Sequence, residues 1–407
     1  MRILILTQWF DPEPTFKGLL FAAALKSQGH EVEVLTGYPN YPGGSLYPGY
    51  KVKLFSRDVV NDIRVNRVAL YPSHNNSGVL RIVNYMSFFF SCMFIGPFLV
   101  RKPDVIYVCN LPTLGFVAKI LKLIFGSKIV LDVLDLWPES VTKSGMLNGK
   151  MTVSLLEKAT NYIYQSADHI TTISPGIKKT LLMRGMPERK LSVVYNWCNE
   201  TEAPATNVLQ EFALKHEFVG RFNVVYAGNM GKMQALEPVI EAASIVWPVN
   251  KKVSFWFVGD GVEVEHLKEF ARRRALSNVH FLPRMTSDDI ASLLRMSDLL
   301  LVHLKKDPLF EITIPSKIQA YMFAGKCILV GVEGDAATLV QAANAGFACE
   351  PENPDSIAAS ILKFLELDTG QRQRMGQNGR RYYDQNLSLK VGAEKFNYIF
   401  KNVMTVK

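Results

Sequence analysis

Short apolar runs alternate with longer stretches of helical period along this chain, and the alternation restarts about halfway. ILIL is followed by the helical GLLFAAALKSQGHE and then by VEVLT; DVIYV, KIVLDVL and HITTIS come later. Parallel strands covered on both faces read as continuous apolar runs, and the helices between them supply the cover. From Phe222 the series begins again with FNVVYAGN, LEPVIEAASIV, VSFWFVGD, VHFL, LLLVHL and CILVGV. Two doubly wound α/β lobes in series are predicted. The expected domains are 1–200 and 201–380, with TEAPATNVLQEFALKHEFVG as linker plus a small helix. A final helical segment, 381–407, either completes the second lobe or crosses back to the first. Ligands of open parallel sheets bind outside the carboxyl ends of the strands, so two such lobes are expected to face an interdomain cleft.

One stretch does not fit the alternation. Residues 82–100, IVNYMSFFFSCMFIGPFLV, hold no charge and lie between Arg81 and the pair Arg101 and Lys102. Three readings are open: a core helix of the first lobe, a helix lying in a membrane interface, or a span. Asn84 within the stretch, the Gly96-Pro97 break and the surrounding α/β units weigh against a span. Phe88, Phe89, Phe90, Phe94 and Phe98 are the candidate membrane-facing residues.

Length and charge refine this picture. At 407 residues the chain has room for two substantial cores, and its net charge of +9 lies almost wholly in one half. Residues 1–200 carry 22 Lys/Arg and 14 Asp/Glu, the remainder 24 and 23. That basic half suits nucleic acid, anionic lipid or a pyrophosphate-bearing substrate equally well. Five scattered cysteines form no CxxC pair and no metal-ligand spacing with histidine, which predicts reduced, buried thiols. The opening MRILIL is too short for a secretion signal and predicts a buried first strand, so a cytoplasmic location is expected.

Candidate chemistry concentrates in the second half. In EITIPSKIQAYMFAGK, Pro315 opens a helix whose first turn offers free N–H groups, the Ser316 hydroxyl and the Lys317 cation, an arrangement that receives anions. YAGNMGKMQALE places Gly228 and Gly231 around a turn carrying Asn229, Lys232 and Gln234, where glycines allow close backbone approach to phosphate oxygens. Two such turns, each with a lysine, favour a diphosphate. VGDGVEVEHLKEF is a third strand, turn and helix junction, with Asp260 at the expected cap.

FDPEP, GHEVEVLTGYPNYPGG, LDLWPES, TTISPGIKK, VVYNWCNE, VYAGNMGK, FVGDGVE, VHFLPR and IPSKIQAYMFAGK occur in the order found in retaining glycosyltransferases of the GT-B fold. The chain resembles family 4 enzymes of bacterial surface-polysaccharide assembly, most of all the WbuB-like fucosamine transferases. The resemblance implies two Rossmann-like domains, the first for the acceptor and the second for a nucleotide-sugar donor, with a UDP-sugar such as UDP-N-acetylfucosamine expected. It implies transfer with retention and without an essential metal or cofactor. It also implies a polyprenyl-diphosphate-linked acceptor, residence at the inner face of the cell membrane, a role in O-antigen or capsule synthesis, and no nucleic-acid partner.

Carried over by position, the catalytic candidates are Glu311, Lys317, Lys232 and Asp135. The donor-binding candidates are Gly228, Asn229, Gly231, Gln234, Arg284, Pro315, Ser316 and Gln319, with Lys17 and Gly18 from a shortened glycine loop after the first strand. Glu311 would address the donor sugar and Gln319 the ribose. This sequence departs from the family in three places. Gln319 stands where a glutamate is usual; Asn229 and Gln234 replace the turn's arginine and lysine; and Leu134, not histidine, precedes Asp135, with Glu139 the other polar candidate nearby. In a retaining scheme a leaving-group oxygen can take the acceptor proton, so the absent histidine is tolerable. A nucleotide-sugar 2-epimerase of the same fold and a non-catalytic nucleotide- or lipid-binding protein are the rival readings. A dinucleotide-dependent oxidoreductase is disfavoured because no GxGxxG follows the first strand.

Overall fold

The computed structural model describes residues 1–73, 78–109, 111, 113–143, 149–200, 206–215 and 218–405. They form two units, residues 1–195 with 389–407, and residues 196–388. Residues 201–205 of the expected linker lie outside the described residues; the small helix follows as Thr206–Lys215.

In the first unit, β1 (Arg2–Leu6), β2 (Glu31–Gly37), β3 (Phe55–Val60), β4 (Ile63–Val68), β5 (Val105–Cys109), β6 (Lys128–Val133), β7 (His169–Thr172) and β8 (Leu191–Val193) form one sheet in the order β3-β4-β2-β1-β5-β6-β7-β8. All pairs are parallel except β3 with β4. That hairpin turns through Asn61 and Asp62, both at positive φ (49° and 57°), as a two-residue turn matched to strand twist requires.

The C-terminal helix Leu389–Thr405 belongs to this unit. Gly392, Ala393, Phe396, Ile399, Phe400 and Val403 recur at three- and four-residue intervals and form its buried stripe. Phe396 lies 5.1 Å, between ring centroids, from both Phe21 and Tyr107.

The uncharged stretch becomes the helix Gly78–Leu99, which is long and apolar enough to cross a membrane. One stripe, Asn84, Phe88, Cys92, Gly96 and Leu99, is nonetheless buried against β2, β4 and the helix Leu114–Phe125. Asn84 accepts from Gln8 Nε2 (2.5 Å) and donates to the Tyr71 carbonyl (2.6 Å). Phe88 is therefore a core residue, which corrects its expected membrane-facing role. Phe89 is half-buried, whereas Phe90, Phe94 and Phe98 are exposed at 46%, 66% and 83% and continue a stripe with Val79, Val83 and Met86.

In the second unit, β9 (Phe222–Ala227), β10 (Val253–Val258), β11 (Val279–Leu282), β12 (Leu299–His303), β13 (Cys327–Gly331) and β14 (Gly346–Ala348) form a parallel sheet in the order β11-β10-β9-β12-β13-β14. The chain winds outward from β9, then returns to β12 on its other side. The carboxyl ends of β9 and β12 therefore flank a switch point, where open α/β sheets leave a crevice. The five cysteines, all buried and free, are spread over both units.

Candidate functional site

Beyond β9 the chain passes straight into the glycine turn. Gly228 N–H donates to the Val258 carbonyl (2.8 Å) and Met230 N–H to that of Asp260 (2.7 Å), which joins the turns after β9 and β10 backbone to backbone. Contact this close needs Gly259, where a Cβ would sit 2.1 Å from the Gly228 oxygen. Inside the turn the Gln234 side-chain oxygen accepts from Asn229 Nδ2 (3.1 Å) and from Gly231 N–H (3.0 Å). Asn229 and Gln234 thus brace the loop. Lys232 opens the short 3-10 turn that follows and is exposed.

The turn beginning at Pro315, whose carbonyl accepts from Ile318 N–H (3.0 Å), leads into the seven-residue helix Lys317–Phe323. Buried Tyr321 fixes that helix to the end of β9, its hydroxyl accepting from Ala227 N–H at 3.1 Å. Lys317 is thereby carried over the glycine turn. Its ammonium donates to the Tyr226 hydroxyl (2.5 Å) and lies 4.0 Å from the centre of that ring. The same hydroxyl donates to the Asn229 carbonyl (2.5 Å). Gly228 has φ +137°, and a Cβ there would lie 2.5 Å from Lys317 Cε, so glycine is what lets the lysine lie across the turn.

Removal from water depresses the Lys317 pKa to about 7. In the free protein its charge is therefore lost as pH rises through neutrality, and a bound diphosphate would restore it. If this turn holds a diphosphate such as that of UDP, binding at pH 8, above the titration of the ligand's own phosphate near pH 6, is expected to take up close to one proton. Calorimetry in buffers of different ionisation enthalpy measures this, and Lys317→Met should abolish the uptake.

Glu311 is exposed at the end of the short helix Pro308–Glu311, which Asp307 caps by accepting from Leu309 N–H (2.9 Å). Pro315 is half-buried and Ser316 exposed. Gln319 is buried, and its amide group, oriented to satisfy its surroundings, donates to the carbonyls of Pro315 (3.0 Å) and Ser316 (3.1 Å). That amide supports the turn beneath Lys317. Arg284 is exposed in the segment after β11, at the sheet edge away from the switch point.

His303, at the end of β12, was not singled out from the sequence. It is buried; Nδ1 donates to the Gln234 carbonyl (2.8 Å) and Nε2 accepts from Glu352 N–H (3.0 Å). This fixes a neutral tautomer, and burial lowers its pKa. The imidazole clamps the glycine turn to the segment after β14. The sequence signal was the polar end of LLLVHL.

Two candidates of the first unit are corrected. Lys17 is buried and ion-paired with Asp132 of β6, and its ammonium lies 5.3 Å from the centre of the Phe396 ring. Its charge serves the core, not a ligand. Gly18 makes room for Asp11, whose carboxylate would lie 2.1 Å from a Cβ there and accepts from Leu19 N–H (2.6 Å). The shortened loop expected to contact a donor thus leads into a helix start that already holds a carboxylate. Asp135 is exposed just beyond β6, whereas Glu139 is ion-paired with Arg184. Among the described residues, no group of three or more His, Cys, Asp or Glu side chains is placed to hold a metal.

Comparison with known proteins bears on both units. The family described as "Glycosyl transferase 4-like domain" matches residues 19–197, and that described as "Glycosyl transferases group 1" matches residues 211–382. The probable glycosyltransferase WbjE of Pseudomonas aeruginosa is 28% identical over 301 residues, 73% of this chain and 74% of that protein. The putative colanic acid biosynthesis glycosyl transferase WcaI of Escherichia coli is 27% identical over 385 residues, 90% and 93% of the two chains. Among solved structures, Anabaena HepE in complex with UDP and glucose superimposes with a TM-score of 0.70 at 16% identity, covering 98% of this chain and 99% of that one. WaaG, a glycosyltransferase involved in lipopolysaccharide biosynthesis, does so with a TM-score of 0.67 at 16% identity and the same coverage. At that identity the likeness is one of fold, the GT-B pair of Rossmann-like domains. The chain belongs to the glycosyltransferases, with a glycosyl transferase 4-like domain followed by a group 1 domain.

Proposed function

We propose that this protein transfers a sugar, with retention of configuration and without a metal, from a UDP-sugar to a polyprenyl-diphosphate-linked acceptor in the assembly of a bacterial surface polysaccharide such as O-antigen or capsule. The observation that carries the reading is Lys317, a desolvated cation laid across a glycine turn at the switch point of the second sheet. A diphosphate leaving group gathers negative charge as its bond to the sugar breaks, and a preorganised cation in a dry site stabilises that charge. Glu311, on the short helix before it, is assigned to the donor sugar, and exposed Lys232 to the diphosphate. The UDP complex of HepE supports the donor class, and the names of WcaI and WaaG support the polysaccharide setting. Incubation with UDP- and GDP-sugars, with and without a lipid-linked sugar acceptor, tests the reading. Donor turnover that needs no acceptor would replace it with an epimerase.

The first unit is assigned to the acceptor, with Asp135 on its polar side, and to the inner membrane surface. The exposed stripe Phe90, Phe94 and Phe98, on the basic half of the chain, suits an anionic bilayer, because seating apolar rings in lipid adds to electrostatic attraction. Replacing all three by serine should lower co-sedimentation with anionic vesicles at least tenfold and leave the melting temperature unchanged. Equal sedimentation of the two proteins would remove the membrane assignment.

A further inference from the structure

Positive charge also gathers at the opposite end of the second sheet from Lys317. Asp298 and Lys326 immediately precede β12 and β13, at the amino ends of those strands, and line a cavity of about 710 Å³. Arg295, from the last turn of the helix Ser287–Met296, lines it too, as do Arg372 and Arg380 of the helix Thr369–Asn386. Four cations thus meet one carboxylate.

Those four are not equivalent. Arg372 donates to the Phe364 (3.2 Å) and Leu367 carbonyls, and Arg380 to the Phe323 carbonyl (3.0 Å) while pairing with Asp384 (3.0 Å). Both are tied into the frame. Asp298 accepts from Asn223 N–H (2.8 Å) and so helps to fix the start of β9. Among the described residues, no hydrogen bond or ion pair within 4 Å holds the Lys326 ammonium or the Arg295 guanidinium. Burial disfavours the charge on Lys326, and Arg295 adds to that cost against the pull of Asp298. A half-buried lysine kept beside an arginine, with Asp298 the one carboxylate among the four cations of the cavity, carries a cost to folding that an incoming anion would offset.

We propose that this cavity is a second anion site, which takes a phosphorylated small molecule with its phosphate between Lys326 and Arg295. The volume lies within the roughly 300–1,000 Å³ of small-molecule sites and exceeds what a lone phosphate needs. Phe323 and Ala324 line the same space and give the rest of the ligand an apolar surface.

Calorimetric titration of the full chain with pyrophosphate, in the presence of excess UDP, tests the proposal. The expected result is binding that weakens at least tenfold in Lys326→Gln and in Arg295→Gln, persists within about threefold in Lys326→Arg, and leaves UDP affinity unchanged. Melting temperatures within a degree or two of wild type exclude misfolding, and Lys326→Arg controls for side-chain bulk. No binding, or binding indifferent to both glutamine variants, would overturn it. Displacement of pyrophosphate by phosphatidylglycerol vesicles would overturn the small-molecule assignment in favour of a lipid headgroup. The Lys326 dependence is read whether or not UDP is the donor nucleotide, so failure of the donor reading leaves this test intact.

Discussion

Lys317→Ala should lower the rate of sugar transfer by roughly tenfold to a thousandfold, about 1 to 4 kcal/mol of barrier, without unfolding the protein. The lysine donates to Tyr226 and is otherwise desolvated, so folding gains little from it, as its depressed pKa indicates. Its value lies in what a diphosphate would gain. If it meets charge that develops only as the glycosidic bond breaks, kcat and kcat/KM fall together; if it only holds the donor, KM rises with kcat unchanged. Arginine is expected to be a poor substitute, because the side chain lies where a Cβ on Gly228 would come within 2.5 Å of its Cε, and a planar fork needs more room. Gly228→Ala should act in the same direction by displacing the lysine. Steady-state kinetics at several donor concentrations, with circular dichroism as a folding control, separate these cases. Kinetics unchanged in Lys317→Ala would remove the residue from the site.

The strands that position this site were legible because they are buried on both faces. VVYA, FWFV and LLLV are unbroken apolar runs, and the glycine turn and proline-led helix follow such strands. β3 was not legible: FSRDVV is an edge strand, largely exposed, with an arginine and an aspartate in its middle. Nothing in such a stretch distinguishes it from a loop until a partner strand is present. The C-terminal helix shows the same limit, since its amphipathic stripe announces a buried face without naming the sheet that buries it.

Among the candidate residues, what sequence could not supply was pairing across long separations. His303 meets the carbonyl of Gln234, and Lys17 meets a carboxylate 115 residues away. A lysine beside a glycine after a first strand reads as a phosphate ligand because local context is all that a motif contains. Gly18 misled in the same way: Asp11, from outside the turn itself, occupies the helix start beside it. The family's usual glutamate position shows the converse, because Gln319 faces its own helix start, where an amide can donate to carbonyls and a carboxylate cannot.

The largest stability effect is expected from Lys17→Met, a loss of about 3–5 kcal/mol. Both side chains of the Lys17–Asp132 pair are at most 1% exposed, and methionine nearly preserves the volume while removing the charge. Asp132 also accepts from the Tyr107 hydroxyl (2.7 Å) and from Thr171 (2.6 Å), two neutral donors that cannot balance a carboxylate out of water. The cost of the variant is mainly that of the charge left behind. Adding Asp132→Asn should therefore recover part of the loss, since the amide oxygen keeps an acceptor for one hydroxyl, the amide nitrogen can donate to the other, and no net charge remains. Because the chain holds two units, the midpoint to compare is that of the urea transition of the first unit, followed separately if the two do not coincide. Donor-nucleotide affinity should be unaffected in the folded variant, as the pair lies within the first unit's core. A tenfold loss of UDP affinity with an unchanged unfolding midpoint would give Lys17 back to the donor site and refute its role in the core.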